Sequence, residues 1–468
     1  MFFLRRSVMN TSFIDHGRIY DYLKNTSEPD SAELNEILDR ARELKGISYA
    51  AAERLLMVEK PEHLEKIFET ASFIKNEIYG CRLVLFAPLY VSNMCNNECL
   101  YCAFKRSNRE ITRRTLTQEE IRHEVEALVS QGHKRVLLVS GEGLGRSALD
   151  YTLQAIDTIY STKVGKGEIR RINVNIAALE VDDFRKLKDA KIGTYQLFQE
   201  TYNINTYKKM HVAGPKSDYA YHLGAMDRAM EAGIQDVGVG ILFGLEDYRF
   251  EVMALLQHIA HLEERFGFGV HTISVPRLEP ATGSDVSVHP PYDIDDTTFK
   301  KIIAILRITV PYTGIILSTR ETAETRRNAI EMGISQISAG SRTNPGGYSD
   351  ENSAEQFSLG DHRSLEEVIL DIAKMGHVPS FCTGCYRLGR VGQDFMDLAK
   401  PGLIKHYCLP NAMTSFYEYL VNYAKPETKS IGRELIDRMM NDIPNSDLRE
   451  RTKKALTDIE AGATDLYC

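Results

Sequence analysis

Residues 94–104 read Met94-Cys95-Asn96-Asn97-Glu98-Cys99-Leu100-Tyr101-Cys102-Ala103-Phe104, with three cysteines at C-x3-C-x2-C spacing. Thiolates are the ligands that iron–sulfur clusters prefer. Three thiolates hold three irons of a four-iron cubane, which leaves the fourth iron open to the amine and carboxylate of a small molecule. Structural zinc sites usually pair their cysteines with a distant second pair, so a compact triplet suits zinc less well. A zinc knuckle and a chance grouping of cysteines are the alternatives.

The triplet, with the aromatic Tyr101 directly before its last cysteine, resembles the signature of the radical S-adenosylmethionine (SAM) enzymes. The resemblance implies that SAM binds the open iron and that one electron from the cluster breaks its sulfur–carbon bond. Methionine and a 5′-deoxyadenosyl radical would result, and the radical would abstract a hydrogen atom from the substrate. In such enzymes the cofactor supplies the difficult step, while the protein supplies placement and excludes water.

Composition indicates a soluble protein with room for two or three domains in its 468 residues. A net charge of −8 argues against a large surface for nucleic acid. No apolar run is long enough to span a bilayer, and the briefly apolar start, residues 1–6, is too short for a signal peptide. Six of the 8 cysteines fall into two tight groups, which is typical of metal sites in a reducing compartment, so we expect a cytoplasmic protein. Cys81 and Cys468 stand outside these groups, and Cys81 reads as a small core residue.

From residue 83 onwards, short strand-like runs alternate with amphipathic helices. Strands are predicted at 83–90, 135–139, 172–177, 194–199, 236–241, 271–276, 315–318 and 336–339. Helices are predicted between them at 117–131, 148–161, 180–190, 218–232, 249–266, 295–310 and 321–332. This order predicts an α/β protein built on a full (β/α)8 TIM-type barrel. An open doubly wound sheet has the same periodicity and is the structural alternative.

The chain is predicted to have three parts. Helices form an N-terminal extension over residues 1–80, the radical SAM barrel covers 81–345, and a mostly helical C-terminal domain covers 346–468. The turn-rich run 344–348 marks the second boundary. In the last part we predict helices at 364–375, 393–399, 412–422, 429–441 and 446–460.

Polar and glycine residues follow the predicted strands, where barrel active sites lie. Within the radical SAM superfamily, Ser140-Gly141-Glu142 is similar to the Gly-Gly-Glu element that receives the SAM amino group, with serine replacing the first glycine. Glu200 is a candidate for a further SAM contact. Gly238-Val239-Gly240-Ile241 resembles the strand-five segment that packs along the adenine, and Gly240 is its assigned contact. Tyr101 would offer backbone groups to the adenine edge.

Candidate substrate residues are arginines, because a guanidinium matches the geometry of a carboxylate. Arg277 follows strand six, Arg320 follows strand seven, and Arg327 lies in the next helix. A surface role is an equally good interpretation for Arg327. Ser318 and Tyr90 are the plausible neighbours of the substrate.

A second cysteine group, Cys382-x2-Cys385-x22-Cys408, again offers three thiolates without an obvious fourth. A zinc ribbon completed by His377 or His406 is the structural alternative. The spacing, and the local run Phe381-Cys382-Thr383-Gly384-Cys385-Tyr386-Arg387, resemble the FeFe-hydrogenase maturase (HydG) family of radical SAM tyrosine lyases. The resemblance covers the chain from about Asp30 to Tyr419.

This resemblance implies a carbon–carbon lyase that splits L-tyrosine into p-cresol and dehydroglycine. Dehydroglycine would be converted to carbon monoxide and cyanide, captured by a labile iron on a second 4Fe–4S cluster that also holds L-cysteine. The product would serve maturation of the hydrogenase active site. Implied partners are iron, a low-potential electron donor such as ferredoxin or flavodoxin, and hydrogenase maturation scaffold proteins. Alternatives are the 2-iminoacetate synthase of thiazole biosynthesis, which as a family lacks the C-terminal triplet, and a zinc-stabilised binding scaffold.

His271 is the predicted protein ligand of the labile iron. It begins strand six, whereas Arg277 follows the end of that strand, and six extended residues separate the two by roughly 20 Å. His271 is therefore expected at the lower mouth of the barrel, where a C-terminal domain could present the second cluster. A packed or solvent-facing histidine is the alternative, and His258 and His261 are weaker candidates. The sequence thus predicts two clusters at opposite ends, with the barrel interior as the passage between them.

Overall fold

A closed barrel of eight parallel strands forms the centre of the structure, a computed structural model that describes residues 11–349, 355–401, 403–443 and 445–467. The barrel strands are β1 (Arg82–Ser92), β2 (Arg135–Ser140), β5 (Arg171–Asn175), β6 (Tyr195–Gln196), β7 (Val237–Gly240), β8 (Thr272–Ser274), β9 (Gly314–Leu317) and β10 (Gln336–Ser338). Each strand pairs with the next, and β10 pairs in parallel with β1. All eight predicted strands are therefore present, and the open sheet is excluded.

Four helices precede the barrel: α1 (His16–Asn25), α2 (Ser31–Ala41), α3 (Tyr49–Leu56) and α4 (Pro61–Tyr79). Helices of the barrel are α5 (Gln118–Ser130), α6 (Ala148–Ser161), α7 (Val181–Asp189), α8 (Ile204–Met210), α9 (Tyr219–Leu223), α10 (Ala225–Glu231), α11 (Tyr248–Phe266), α12 (Asp285–Val288), α13 (Asp296–Thr309) and α14 (Ala323–Met332). The C-terminal part holds α15 (Leu365–Lys374), α16 (Gly384–Arg387), α17 (Gln393–Ala399), α18 (Ile404–Asn422), α19 (Pro426–Met440) and α20 (Ser446–Glu460).

Local signals fix several helix starts. The Thr117 hydroxyl accepts a hydrogen bond from the Glu120 backbone N–H, and the Glu120 carboxylate accepts one from the Thr117 backbone N–H. The predicted capping box is therefore present. The helix predicted at 218–232 is two helices, because Gly224 ends α9 and precedes α10. A short antiparallel hairpin of β3 (Lys163–Val164) and β4 (Gly167–Glu168) was not predicted.

An eleventh strand, β11 (Val378–Ser380), adds to the lower edge of the barrel. It pairs in parallel with Arg82–Val84, at the start of β1. The sequence did not indicate this strand, because it is three residues long and contains Pro379, which cannot donate a backbone hydrogen bond. The pairing fixes the chain just before Cys382 at the amino ends of the barrel strands.

The largest hydrophobic core extends from the N-terminal helices through the barrel to the C-terminal helices. Its buried members include Ile74 in α4, Leu89 in β1, Ile303 in α13 and Phe416 in α18. The helical extension and the C-terminal helices therefore pack on the barrel, and the three-part division by residue number stays a prediction. No helix among the described residues is long and apolar enough to cross a membrane. The chain start at 1–6 and Cys468 lie outside the described residues.

Candidate functional site

The three cysteines of the first triplet line one cavity at the carboxyl ends of the barrel strands, with a volume of about 210 Å³. They lie in the loop after β1, which is held by backbone hydrogen bonds from Glu98 N to Ala213 O (2.8 Å) and from Leu100 N to Met210 O (2.9 Å). No fourth cysteine contributes to the described lining of this cavity. Burial raises the pKa of the Cys102 thiol to about 11, so these sulfurs are neutral until a metal displaces their protons.

Two hydrogen-bond donors point at the Cys102 sulfur. The Phe104 backbone N–H lies 3.4 Å from it and the Gln356 Nε2 lies 3.6 Å from it. Hydrogen bonds to cluster sulfurs tune the reduction potential of an iron–sulfur centre. Gln356 lies far along the chain, in the segment before α15. No motif around it in the sequence identified it as a neighbour of the cysteines.

The loop after β2 packs directly against the cysteine loop. A Cβ added at Gly141 or Gly143 would collide with the backbone of Met94, so both positions need glycine for this approach. Glu142 lines the cavity, and its carboxylate accepts a hydrogen bond of 2.7 Å from Asn97 Nδ2. The cysteine loop therefore orients the carboxylate that the sequence assigned to the SAM ammonium group.

Glu200 also lines the cavity, after the end of β6. Its backbone has a left-handed φ of 67°, rare for a residue other than glycine, and its carbonyl accepts from Leu242 N at 2.9 Å. Its carboxylate lies 2.8 Å from Nζ of Lys216, which lines the same cavity. Burial lowers the pKa of Lys216, but the nearby acidic groups, with Glu200 the largest among them, together outweigh burial and raise it, so the lysine stays charged. Sequence reasoning missed Lys216.

Of the two other predicted SAM contacts, Tyr101 and Gly240, only Tyr101 lines the cavity. Tyr101 lines the cavity, and its hydroxyl lies 2.8 Å from Nε2 of His211. Gly240 does not contribute to the cavity lining. A Cβ at this position would stand 2.6 Å from the Phe198 ring, which does line the cavity, so Gly240 makes room for Phe198.

The same cavity lining contains Arg320, Ser318 and Tyr90. Arg320 lies over the Phe357 ring at 3.3 Å and has no ion pair with another described residue. The Tyr90 hydroxyl donates a hydrogen bond of 2.6 Å to Gln356 Oε1. Arg320 is therefore a cavity-lining guanidinium that forms no ion pair with a described carboxylate.

The other two arginine candidates lie away from this lining. The Arg277 guanidinium is bound by the carboxylates of Glu321 and Asp296, the latter at 2.9 Å. The Arg327 guanidinium is half exposed and pairs with Asp371 at 2.9 Å. Both are held in structural ion pairs, so the structure brings only Arg320 of the three to the cavity.

Cysteines of the second triplet line a different cavity, of about 60 Å³, at the amino ends of the barrel strands. Cys382 follows β11, Cys385 lies in α16 and Cys408 lies in α18. The Gly384 backbone N–H lies 3.2 Å from the Cys382 sulfur. Three arginines also line this cavity and place positive charge around the thiols: Arg82, Arg135 and Arg390.

His271 lines the second cavity, immediately before β8, as the strand geometry predicted. Its Nε2 lies 3.0 Å from the Tyr386 hydroxyl, and its Nδ1 lies 3.6 Å from Asp236 Oδ1. Burial lowers the pKa of His271, so the imidazole is in the neutral form that binds metals. His258 and His261 are bound elsewhere, by Tyr202 and Asp227 respectively.

The histidines needed for a zinc ribbon are absent from the described lining of the second cavity. His377 instead contacts Glu331 and the Cys81 carbonyl, both at 3.1 Å, and His406 lies on α18 outside the lining. Within residues 11–349, 355–401, 403–443 and 445–467, no group of three or more His, Cys, Asp or Glu side chains is arranged to hold a single metal ion. Thiols distributed around a cavity suit a cluster in which each sulfur holds a different iron.

The two cavities share the same strands. On β10, Gln336 lines the lower cavity and Ser338 lines the upper one, and on β9 Gly314 and Ile316 do the same. Gly314 provides space, since a Cβ there would stand 2.8 Å from Nε2 of Gln336. Barrel interiors are normally filled by branched side chains, whereas three of these four positions carry a small or polar residue.

Comparison with known proteins matches residues 89–259 to the radical SAM superfamily and residues 274–378 to the biotin and thiamin synthesis associated domain. The 2-iminoacetate synthase of Salmonella typhimurium is 32% identical over 72% of this chain and 88% of its own length. A crystal structure of HydG, a maturase of the [FeFe]-hydrogenase, is 50% identical, with a TM-score of 0.95 over 98% of this chain and 100% of that one. HydG from Carboxydothermus hydrogenoformans is 41% identical, with a TM-score of 0.83 over 94% of this chain and 97% of that one.

Proposed function

The chain belongs to the HydG family of radical SAM tyrosine lyases, and from this we propose that it splits L-tyrosine in the upper cavity and assembles an iron–carbonyl–cyanide unit in the lower one. The membership confirms the predicted enzyme class, and the radical SAM family implies a 4Fe–4S cluster and SAM. One observation carries the finer proposal: two cysteine triplets line separate cavities at the two mouths of a single barrel.

In the upper cavity, Cys95, Cys99 and Cys102 would hold the first cluster, and the carboxylates of Glu142 and Glu200 would bind SAM. When bound, the cluster and SAM supply the hydrogen-abstracting radical chemistry typical of this superfamily. The chain contributes placement. Asn97 orients Glu142 at 2.7 Å, and Lys216 holds Glu200 at 2.8 Å.

Tyrosine would bind in the same cavity, beside Arg320. Arg320 would bind the substrate carboxylate, because its guanidinium lines the cavity without an acidic partner. Ser318 and Tyr90 lie on the same lining and would contact the rest of the amino acid. Loss of a hydrogen atom from the amino group would be followed by homolytic cleavage of the Cα–Cβ bond, giving dehydroglycine and a 4-hydroxybenzyl radical. One electron from the low-potential donor and one proton would convert that radical to p-cresol.

In the lower cavity, Cys382, Cys385 and Cys408 would hold a second 4Fe–4S cluster. His271 would bind the labile iron, which is cargo and leaves with the product together with the bound cysteine. Carbon monoxide and cyanide from dehydroglycine would reach it through the barrel interior, past Gly314. The Tyr386 hydroxyl fixes the orientation of the His271 ring by its 3.0 Å hydrogen bond.

Partners follow from this chemistry. A low-potential donor such as ferredoxin or flavodoxin would supply electrons, and hydrogenase maturation scaffold proteins would accept the product. The described cysteines are all free thiols. This supports a reducing cytoplasm as the site of action.

The test is anaerobic turnover of the reconstituted enzyme with tyrosine, SAM and reductant. We expect p-cresol, carbon monoxide and cyanide from the wild type. The double variant Cys382→Ser, Cys385→Ser should keep p-cresol formation but lose carbon monoxide. Cys81→Ser is the matched control, because Cys81 contacts Met439 and lines neither cavity. Unchanged carbon monoxide in the double variant would refute a role for the lower site.

The 32% identity to 2-iminoacetate synthase favours one alternative, a lyase that stops after breaking tyrosine. That enzyme would give p-cresol without either gas, so the same assay separates the two. An iron count of about eight per chain in anaerobically purified protein supports two cubanes, whereas zinc alone would indicate a binding scaffold.

A further inference from the structure

The outer surface of the first cysteine loop combines exposed apolar and basic side chains. Met94 and Val212 are 38% and 59% exposed, unusual for large apolar residues. Both lie beside the metal-binding cysteines, since Met94 precedes Cys95 and Val212 N donates to Glu98 O at 3.0 Å. We call the surface formed by segments 94–110 and 208–213 the loop rim.

Four exposed basic residues lie in the same two segments. Arg106, Arg109, Lys208 and Lys209 are exposed, and none of them forms an ion pair with another described residue. Backbone contacts keep them near the cysteines, because Arg106 N donates to Asn97 O at 2.8 Å and Lys209 adjoins Met210, whose carbonyl binds Leu100 N.

Acidic residues are few in the same segments. Glu98 accepts hydrogen bonds from the Ser107 backbone and hydroxyl, and Glu110 is the exposed carboxylate beside Arg109. The chain as a whole carries a net charge of −8. A basic surface at this place is therefore a local departure from an acidic protein.

We propose that the loop rim is the docking surface for a small acidic one-electron carrier protein. The proposal rests on the proposed function of the first cysteine triplet and says where its reductant binds. A surface that combines exposed apolar side chains with cations outside any ion pair complements a carrier with acidic residues around an exposed redox centre. One electron leaves the reduced carrier and enters the first cluster; the carrier is oxidised by one electron, and this step forms or breaks no bond and moves no proton.

The test compares a protein reductant with a small one. SAM cleavage is measured in the reconstituted enzyme with reduced acidic flavodoxin and, separately, with dithionite. For Lys208→Glu, Lys209→Glu we expect the second-order rate constant with flavodoxin to fall about tenfold at low salt, with the difference shrinking as ionic strength rises. The rate with dithionite should stay unchanged.

Matched variants complete the design. Arg106→Glu, Arg109→Glu should repeat the result from the other side of the rim. Lys453→Glu, Lys454→Glu, an exposed pair on α20 remote in sequence from the rim, should behave as the wild type. An unchanged flavodoxin rate in both rim variants, or an equal loss with both reductants, would overturn the proposal. If the wild type fails to cleave SAM even with dithionite, the proposed function fails instead, and calorimetric binding of oxidised flavodoxin to wild type and rim variants still decides docking.

Discussion

Glu418 joins the C-terminal domain to the floor of the barrel. It lies on α18, the helix that also carries Cys408. Its carboxylate is 3% exposed and pairs with Lys134 at 2.6 Å and with Arg170 at 2.7 Å, the residues just before β2 and β5. Replacing it by glutamine keeps the shape but leaves two buried cations without their shared anion.

The expected loss of stability follows from the pKa of the Glu418 carboxyl group. Burial would raise the pKa of Glu418, but Arg170 and Lys134 outweigh it and hold the pKa at about 2, below the ordinary 4.5. That difference corresponds to about 3 kcal/mol of stability at neutral pH. Because the folded pKa is depressed, the contribution is complete well above pH 4.5 and is lost as the pH falls towards 2. We expect Glu418→Gln to lower the free energy of unfolding by about 3 kcal/mol at pH 7.

Chemical denaturation followed by circular dichroism at pH 7 and pH 3 measures this prediction. At pH 3 the unfolded wild type binds a proton at this carboxyl, whereas the folded form mostly does not, so the difference between wild type and variant should fall to about half. Glu460→Gln is the control. Glu460 pairs with Arg433 on the surface, 44% exposed, and should contribute less than about 1 kcal/mol. A loss below about 1 kcal/mol for Glu418→Gln, or a difference that does not shrink in acid, would refute the reasoning.

Three further changes test the two cavities. Arg320→Lys should raise the KM for tyrosine about tenfold, because lysine lacks the planar guanidinium that binds a carboxylate through two hydrogen bonds. Arg277→Lys should leave KM within twofold and lower thermal stability instead. Similar KM values in both variants would contradict the assignment of Arg320 to the substrate carboxylate. Gly314→Val should keep p-cresol formation but reduce iron-bound carbon monoxide measured by infrared spectroscopy, because its side chain would meet Gln336; full carbon monoxide capture would show that the passage runs elsewhere. Lys216→Gln should weaken SAM binding about tenfold in calorimetry by leaving its carboxylate partner uncompensated, and wild-type affinity would exclude that role.

Local pattern was enough to locate the strands of the barrel, though not the β3–β4 hairpin or β11. The period of apolar residues located all eight barrel strands, and capping residues such as Thr117 located helix starts. The cysteine triplets were also readable, because three ligands of one cluster lie within a few residues of each other or on a recognisable spacing. The placement of His271 at the lower mouth followed from strand length alone.

Only the tertiary structure decided what depends on contacts between distant segments. The sequence offered three arginines of equal chemistry, and the fold separates them by holding Arg277 and Arg327 in ion pairs away from the cavity while Arg320 lines it. The fold also brings Lys216 to Glu200 and Gln356 to Cys102. The spacing of these residues in the sequence does not predict either contact. Periodicity reports which face of an element is apolar, but the partner of a charged side chain is set by the closure of the barrel, which brings residues far apart in the chain to one mouth.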